Sequence, residues 1–204
     1  MIVHQMFPTV VMEFDLSHHS ATKNIKENLA NLNSTYYDKN YAVESGHGAF
    51  FDVWSNIGPD TVDFLSLPPF DDLKKELQLC VNRYAEALGL EDLIISNNWF
   101  NKMTVNSKTL PHRHSCSVCS GAFYPHAPEG SAGLRFNTPL IRMNEEFVAN
   151  TDYNYNAYVM PAKENTLYIF PSWLQHETEN NKSEERYVIS FNTIQRRVRG
   201  MYEL

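Results

Sequence analysis

Three cysteines in 204 residues, Cys80, Cys116 and Cys119, are too few and odd in number for a disulfide framework. Their scarcity predicts a reducing, cytoplasmic setting. Long apolar runs are missing as well. No stretch reaches the ~20 residues of a membrane-spanning helix, so no membrane partner is expected. The start, Met1-Ile2-Val3-His4-Gln5, lacks the basic and apolar regions of a secretory leader. Positive charge is short: 17 Lys and Arg stand against 24 Asp and Glu, a net charge of −7. Such a balance argues against non-specific nucleic-acid binding, because phosphates need a basic surface. The one basic cluster, Arg196, Arg197 and Arg199, reads as a solvated or carboxylate-paired chain end. Disorder is excluded by composition, 43% hydrophobic and 13% aromatic, which offers enough apolar surface to offset the ordering entropy. The length suits a single domain over 1–204. No feature of the sequence sets an oligomeric state.

Ten Pro and many Asn point to turns and short elements. Val3 to Leu16 is rich in Val, Phe and Met and reads as strand. Ser20 to Leu32 carries Ile25, Leu29 and Leu32 at helical spacing, with Ser20 placed as N-cap. Residues 34–62 read as a long loop with one short strand near Phe50–Trp54. The strongest helix covers 70–88: acids follow Pro68-Pro69, the apolar stripe is Leu73, Leu77, Val81, Tyr84 and Leu88, and Gly89 ends it. After residue 92 the pattern changes to short β-rich segments, 93–105, 109–125, 132–138, 156–161, 165–171 and 185–195. Consecutive strands without helices between them indicate a sandwich or jelly roll. The fold class predicted is mostly β with an α+β N-terminal part. In it, 1–92 forms a strand and helix support layer and 93–204 forms the β-barrel core.

The residues with chemical potential begin at Leu110-Pro111-His112-Arg113-His114. On a strand, residues two apart share a face, so His112 and His114 would present both imidazoles to one spot. Two packed imidazoles gain by sharing a cation, though a structural role is the alternative. About sixty residues on, a β-rich run ends in Pro171-Ser172-Trp173 and His176 follows. It would either close a facial set with the first pair or sit on a surface turn. Arg186 opens a strand whose alternation puts Arg186, Val188, Ser190 and Asn192 on one face and Tyr187, Ile189 and Phe191 on the other. An Arg inside a barrel is costly unless paired, and a carboxylate ligand would satisfy it. The other orientation would pair it outside with Glu184 or Glu185.

Together these residues resemble the 2-oxoglutarate and Fe(II)-dependent oxygenase superfamily. More narrowly, Trp99 to Asn192 is similar to the small 2OG-Fe(II) oxygenase group of bacteria and phages. The shared marks are His112-x-His114, Ser120-Gly121-Ala122-Phe123-Tyr124 and Gly133-Leu134-Arg135-Phe136. They continue in Leu167-Tyr168-Ile169-Phe170-Pro171-Ser172-Trp173-Leu174-x-His176 and in Glu185-Arg186 leading to Ser190-Phe191-Asn192. The resemblance implies a double-stranded β-helix, a cupin-like jelly roll flanked by two or more helices. It implies Fe(II) on His112, His114 and His176, and 2-oxoglutarate anchored by Arg186 with help from Tyr124 or Ser190. Ascorbate is the expected reductant. The implied reaction hydroxylates a C–H bond of a small molecule or side chain with O₂, while 2-oxoglutarate becomes succinate and CO₂. Asn101, Arg135 and Asn137 are the substrate-side candidates.

Three departures from the family pattern stand out. The usual facial triad is two His and one carboxylate, and here His114 takes the carboxylate position. Val188 stands where many relatives have a small hydroxyl residue. Glu164-Asn165 replaces a turn glycine, which Asn tolerates because it can adopt a left-handed backbone. Three other readings compete. His112, His114, Cys116 and Cys119 could form a zinc site. A cupin with three histidines would bind iron without 2-oxoglutarate. A β-sandwich binding module would need no redox metal. Segments 34–62 and 139–156 are long enough for lids, with Tyr36, Tyr37, Tyr153 and Tyr155 as covering aromatics.

Overall fold

A computed structural model of the chain describes residues 8–58, 63–140, 149, 151 and 154–196. The described strands are β1 (Met12–Asp15), β2 (Thr35–Tyr37), β3 (Phe50–Ser55), β4 (Leu93–Thr109), β5 (Cys119–His126), β6 (Leu134–Asn137), β7 (Ala157–Met160), β8 (Thr166–Pro171), β9 (His176–Thr178) and β10 (Arg186–Gln195). Three α-helices accompany them: α1 (Ile25–Ala30), α2 (Lys39–Glu44) and α3 (Asp71–Leu88). Seven strands form one sheet in the order β1-β8-β5-β10-β4-β3-β2, and three form a second in the order β7-β6-β9. The chain passes from β5 to β6 and β7 in the small sheet, back to β8, across to β9, and back to β10. That winding is a jelly roll, the mostly β class the segment pattern predicts.

Alternation decides which side chain faces what. Phe123 of β5, Leu167 and Ile169 of β8, and Tyr187, Ile189 and Phe191 of β10 join the core beneath α1 and α3. Their strand neighbours Ala122, Tyr124, Tyr168, Phe170 and Val188 point the other way and pack with Leu134 and Phe136 of the small sheet. The large sheet is therefore apolar on both faces, as its near-continuous Val, Ile, Phe and Tyr content requires. Gly121 faces the helical side: a Cβ there would lie 2.1 Å from Cζ of Phe191, so any larger residue would displace that buried ring.

Helix α3 runs to a C-cap at Gly89 in the left-handed region (φ 64), with Asp71 and Asp72 in its first turn. Leu73, Leu77, Val81 and Tyr84 are buried as their spacing predicts. Leu88 is not: it is 37% exposed, and Ala85 takes the core position because the helical period drifts past the four-residue step. The helix expected from Ser20 is shorter. Lys23 is extended and Asn24 is left-handed (φ 58), so a single 3₁₀ turn over Ser20–Thr22 is cut off from α1. The expected first strand narrows to Met12–Asp15, and residues 3–7 lie outside the described residues.

Within the segment expected as a lid, 34–62, residues 34–58 are described and are not a structureless loop. They fold as β2, α2 and β3, extending the large sheet beside β4. Asp38 caps α2 by accepting from the amides of Asn40 and Tyr41. Tyr37 is buried and donates its hydroxyl to the Ile57 carbonyl, while Tyr36 packs on Trp54 and bonds Asp52. The signal missed here was the N-cap Asp38 followed by Tyr41-Ala42. Tyr155 packs at a tilt against Tyr158, with ring centroids 5.6 Å apart, and Tyr153 falls outside the described residues, as do Arg197 and Arg199. The turn before β8 does use Asn165 at φ 56, the left-handed conformation that the missing glycine demands.

Candidate metal centre

The segment that carries His112 and His114 is not the regular strand expected over 109–125. Strand β4 ends at Thr109 and β5 begins at Cys119. Pro111 has no N–H to offer a ladder, and Cys116 turns the chain at φ 55. The histidines converge by a different route. His112 donates its amide to the His176 carbonyl at 2.9 Å and accepts from the His176 amide at 3.0 Å, an isolated antiparallel bridge onto β9. His114 donates its amide to the Ser172 carbonyl at 3.0 Å. Two docking points thus replace the strand face.

One ring nitrogen from each of His112, His114 and His176 lies within 4.8 Å of the other two. Hydrogen bonding identifies which. Nδ1 of His112 faces the Leu110 carbonyl at 2.7 Å, and Nδ1 of His176 faces the Leu174 carbonyl at 2.9 Å. A carbonyl can only accept, so both Nδ1 atoms carry the proton and both Nε2 lone pairs are free. Nδ1 of His114 lies 2.5 Å from Oδ1 of Asn192, which fixes the same tautomer. Three neutral imidazoles with free Nε2 atoms, each held by an outer partner, is the arrangement a transition-metal ion needs.

Electrostatics agree. Burial pulls His176 down to about 3, with the His112 ring adding to the effect. Burial likewise lowers His112 to about 4 and pulls His114 below its usual range. The unfolded chain takes up these protons near pH 6.5, well above the folded protein. Between pH 6.5 and 4 the unfolded state therefore binds more protons, and stability falls as the pH falls. Each ring that stays neutral costs up to about 1.4 kcal/mol per pH unit in that window. Thermal melts of the metal-free protein should show Tm dropping steadily from pH 7 to pH 5. A flat Tm over that range would show that the rings protonate in place.

The same small pocket, about 50 Å³, is lined by the three histidines, Trp99, Asn101, Met103, Tyr124, Val188, Ser190 and Arg186 among others. Arg186 is 1% exposed, yet no carboxylate pairs with it among the described residues. One guanidinium nitrogen reaches Sδ of Met103 at 2.6 Å, the guanidinium carbon lies 4.8 Å from the Tyr124 ring centre, and Nε has no partner. The Tyr124 hydroxyl and Oδ1 of Asn101 are also buried without partners. Glu185, the alternative mate for Arg186, faces the other way and pairs with Lys26 and Lys102.

Arg135 and Asn137 are not at this pocket. They alternate with the buried Leu134 and Phe136, and both meet Glu177, at 3.4 and 3.2 Å. Asn137 lines a separate cleft of about 410 Å³ instead. Cys116 is exposed, and Cys119 is buried against Thr193, so neither joins the histidines. The residue missed as a site member is Asn192. Its strand parity with Arg186 was the available signal.

Residues 97–192 match the family model described as "Putative 2OG-Fe(II) oxygenase". No curated protein matches the chain in sequence. Among solved structures, the non-haem alpha-ketoglutarate-dependent epimerase SnoN of nogalamycin biosynthesis is 9% identical, with TM-score 0.66 over 92% of this chain and 77% of that one. A 2OG-Fe(II) oxygenase family oxidoreductase from Burkholderia pseudomallei is 13% identical, with TM-score 0.61 over 90% and 84%. HygX from Streptomyces hygroscopicus, solved with nickel and 2-oxoglutarate bound, is 12% identical, with TM-score 0.58 over 92% and 84%. At such identities the structural likeness speaks to the fold alone; the family model adds that residues 97–192, just under half of the chain, are similar to the 2OG-Fe(II) oxygenases.

Proposed function

We propose that the protein is a non-haem Fe(II)- and 2-oxoglutarate-dependent oxygenase that hydroxylates a C–H bond, with His112, His114 and His176 holding the metal. The observation that carries this reading is one juxtaposition. Three convergent Nε2 lone pairs share a pocket with a buried guanidinium and a buried hydroxyl that have no anion of their own. A dicarboxylate keto acid offers what both halves lack. Its keto-acid end supplies ligands to a metal, and its far carboxylate supplies the acceptor for Arg186 and Tyr124. When bound, the metal and keto acid supply O₂ activation coupled to decarboxylation, with succinate and CO₂ as products.

The chain's own residues do the rest. Arg186 binds and orients the far carboxylate, Tyr124 donates to it, and Ser190 is the nearest hydroxyl on the same strand face, two residues beyond Val188. Asn101 offers a further polar atom inside the pocket. Trp99, Phe170 and Val188 wall the site and exclude water, which strengthens every polar contact within it. The three imidazoles would hold the metal through their Nε2 atoms.

We place the whole chain in one domain, with 1–92 supporting the barrel core. Three unpaired cysteines support a cytoplasmic setting. The substrate is a small molecule or a side chain. HygX has been solved with hygromycin B, and a prolyl hydroxylase from Trichoplax adhaerens with a peptide, so the fold accepts both classes. Anaerobically loaded Fe(II) protein, given 2-oxoglutarate, ascorbate and O₂ without any primary substrate, should release succinate slowly. Absence of succinate together with absence of metal-dependent 2-oxoglutarate binding would overturn the reading in favour of a binding module.

A further inference from the structure

Two of the three histidines are oriented by their own backbone, each through the carbonyl two residues earlier. His114, in the position where relatives carry a carboxylate, is held by side chains. Oδ1 of Asn192 accepts from His114 Nδ1 at 2.5 Å and from the Ser120 hydroxyl at 2.8 Å, so both of its lone pairs are used. Ser120 Oγ also lies 3.0 Å from His114 Nδ1 and 2.8 Å from Ser172 Oγ, and Ser172 donates to Ser117 at 2.7 Å. Ser117 in turn donates to the Cys119 and Thr193 carbonyls. Ser120 and Ser172 are fully buried.

The strands explain why Asn192 can do this. Asn192 is paired with Ser120 across the β10–β5 ladder, while the β10–β4 ladder is interrupted between Phe191 and Thr193. There the Ser96 hydroxyl takes the Asn192 carbonyl at 3.1 Å in place of a β4 amide. At this break the Asn192 side chain meets the His114 ring, and the Trp99 ring packs against that ring at 5.5 Å centre to centre.

We infer that Asn192, braced by Ser120, is the positioning residue for the third metal ligand, and that this side-chain hydrogen bond allows histidine to stand in the carboxylate's place. The inference rests on the three-histidine reading of the site. A histidine ligand owes its tautomer and ring orientation to the partner of its other nitrogen, and outer partners of this kind typically change metal affinity 10- to 100-fold when removed. For His112 and His176 no side-chain substitution can remove that partner. For His114, one can.

The test uses the full chain and Co(II) alone, read by metal titration and by proton NMR of the exchangeable, paramagnetically shifted imidazole N–H signals. Wild type should bind one Co(II) and show three such signals. Asn192→Ala should bind Co(II) about 10- to 100-fold more weakly, with one signal shifted or lost to solvent exchange and two unmoved. Asn192→Asp keeps an acceptor on nearly the same shape and should restore affinity while moving the same single signal. Should Asn192→Ala melt below the working temperature, Asn192→Asp and Ser120→Ala carry the test, each required to shift one signal selectively. Three unmoved signals and unchanged affinity in the folded Asn192 variants, alongside loss of one signal in His114→Ala, would overturn the positioning role alone. Only two signals in wild type, with His114→Ala binding Co(II) normally, would overturn the three-histidine site itself.

Discussion

Arg186→Ala should bind 2-oxoglutarate at least about 30-fold more weakly than wild type while retaining its metal. Arg186 is 1% exposed and, among the described residues, faces no carboxylate. A charge desolvated to that degree makes a strong, directional contact with an incoming anion. Truncating one partner of a buried hydrogen-bonded charge pair costs about 2–5 kcal/mol, or roughly 30- to several-thousand-fold in affinity. Arg186→Lys should recover only part of the loss, since an ammonium cannot match the planar fork of a guanidinium. Anaerobic calorimetry with 2-oxoglutarate, beside metal analysis of the same samples, separates the two sites. A dissociation constant within threefold of wild type would show that the anion binds elsewhere. Without ligand, Arg186→Met should melt no lower than wild type, because the guanidinium it removes has no anionic mate in the fold.

His176→Ala should abolish tight metal binding and lower succinate formation by more than about 1000-fold. Of the three rings it is the most enclosed at 4% exposure, and it closes a compact triangle, with centroids 4.3 Å from His112 and 5.0 Å from His114 against 5.3 Å between those two. Two remaining imidazoles on one short segment hold a labile ion weakly, so the loss should exceed that from any outer partner. His114→Asp is the informative contrast. It creates the common two-histidine, one-carboxylate set and should keep Fe(II), where His176→Ala does not. Metal content after dialysis reads both variants, and His176→Ala protein that retains stoichiometric iron would remove His176 from the ligand set.

The barrel was legible because its signals are periodic. Alternation in Arg186–Asn192 separates the pocket face from the helix-facing set, and the structure divides them the same way. The run 165–171 and the helix 71–88 are likewise fixed by apolar spacing. The site was legible as residue types and less so as local structure. His112 and His114 meet because two backbone docking points hold them, not because a strand alternates, and no pattern in Pro111–Cys119 announces bonds to residues more than fifty positions away. Arg135 and Asn137, the candidates for the substrate mouth, lie outside the histidine pocket because their neighbours Leu134 and Phe136 take the inward parity, and Asn137 lines the separate cleft. Within 34–62 the strand near Phe50–Trp54 is legible and appears as β3, whereas β2 and α2, three and six residues long, are too short for periodicity to register.

The bridge between His112 and His176 has a mechanical consequence. An ion seated on both rings is a crosslink between positions far apart in the chain, and it shuts the polymer between them, β5 to β8 included, into a covalently unbroken ring. Because this tether exists only in the native form, it stabilises that form by mass action and ties resistance to heat to the free concentration of the ion. Metal loading and heat resistance are then linked, and a chelator should lower the Tm of the loaded protein to that of the metal-free fold.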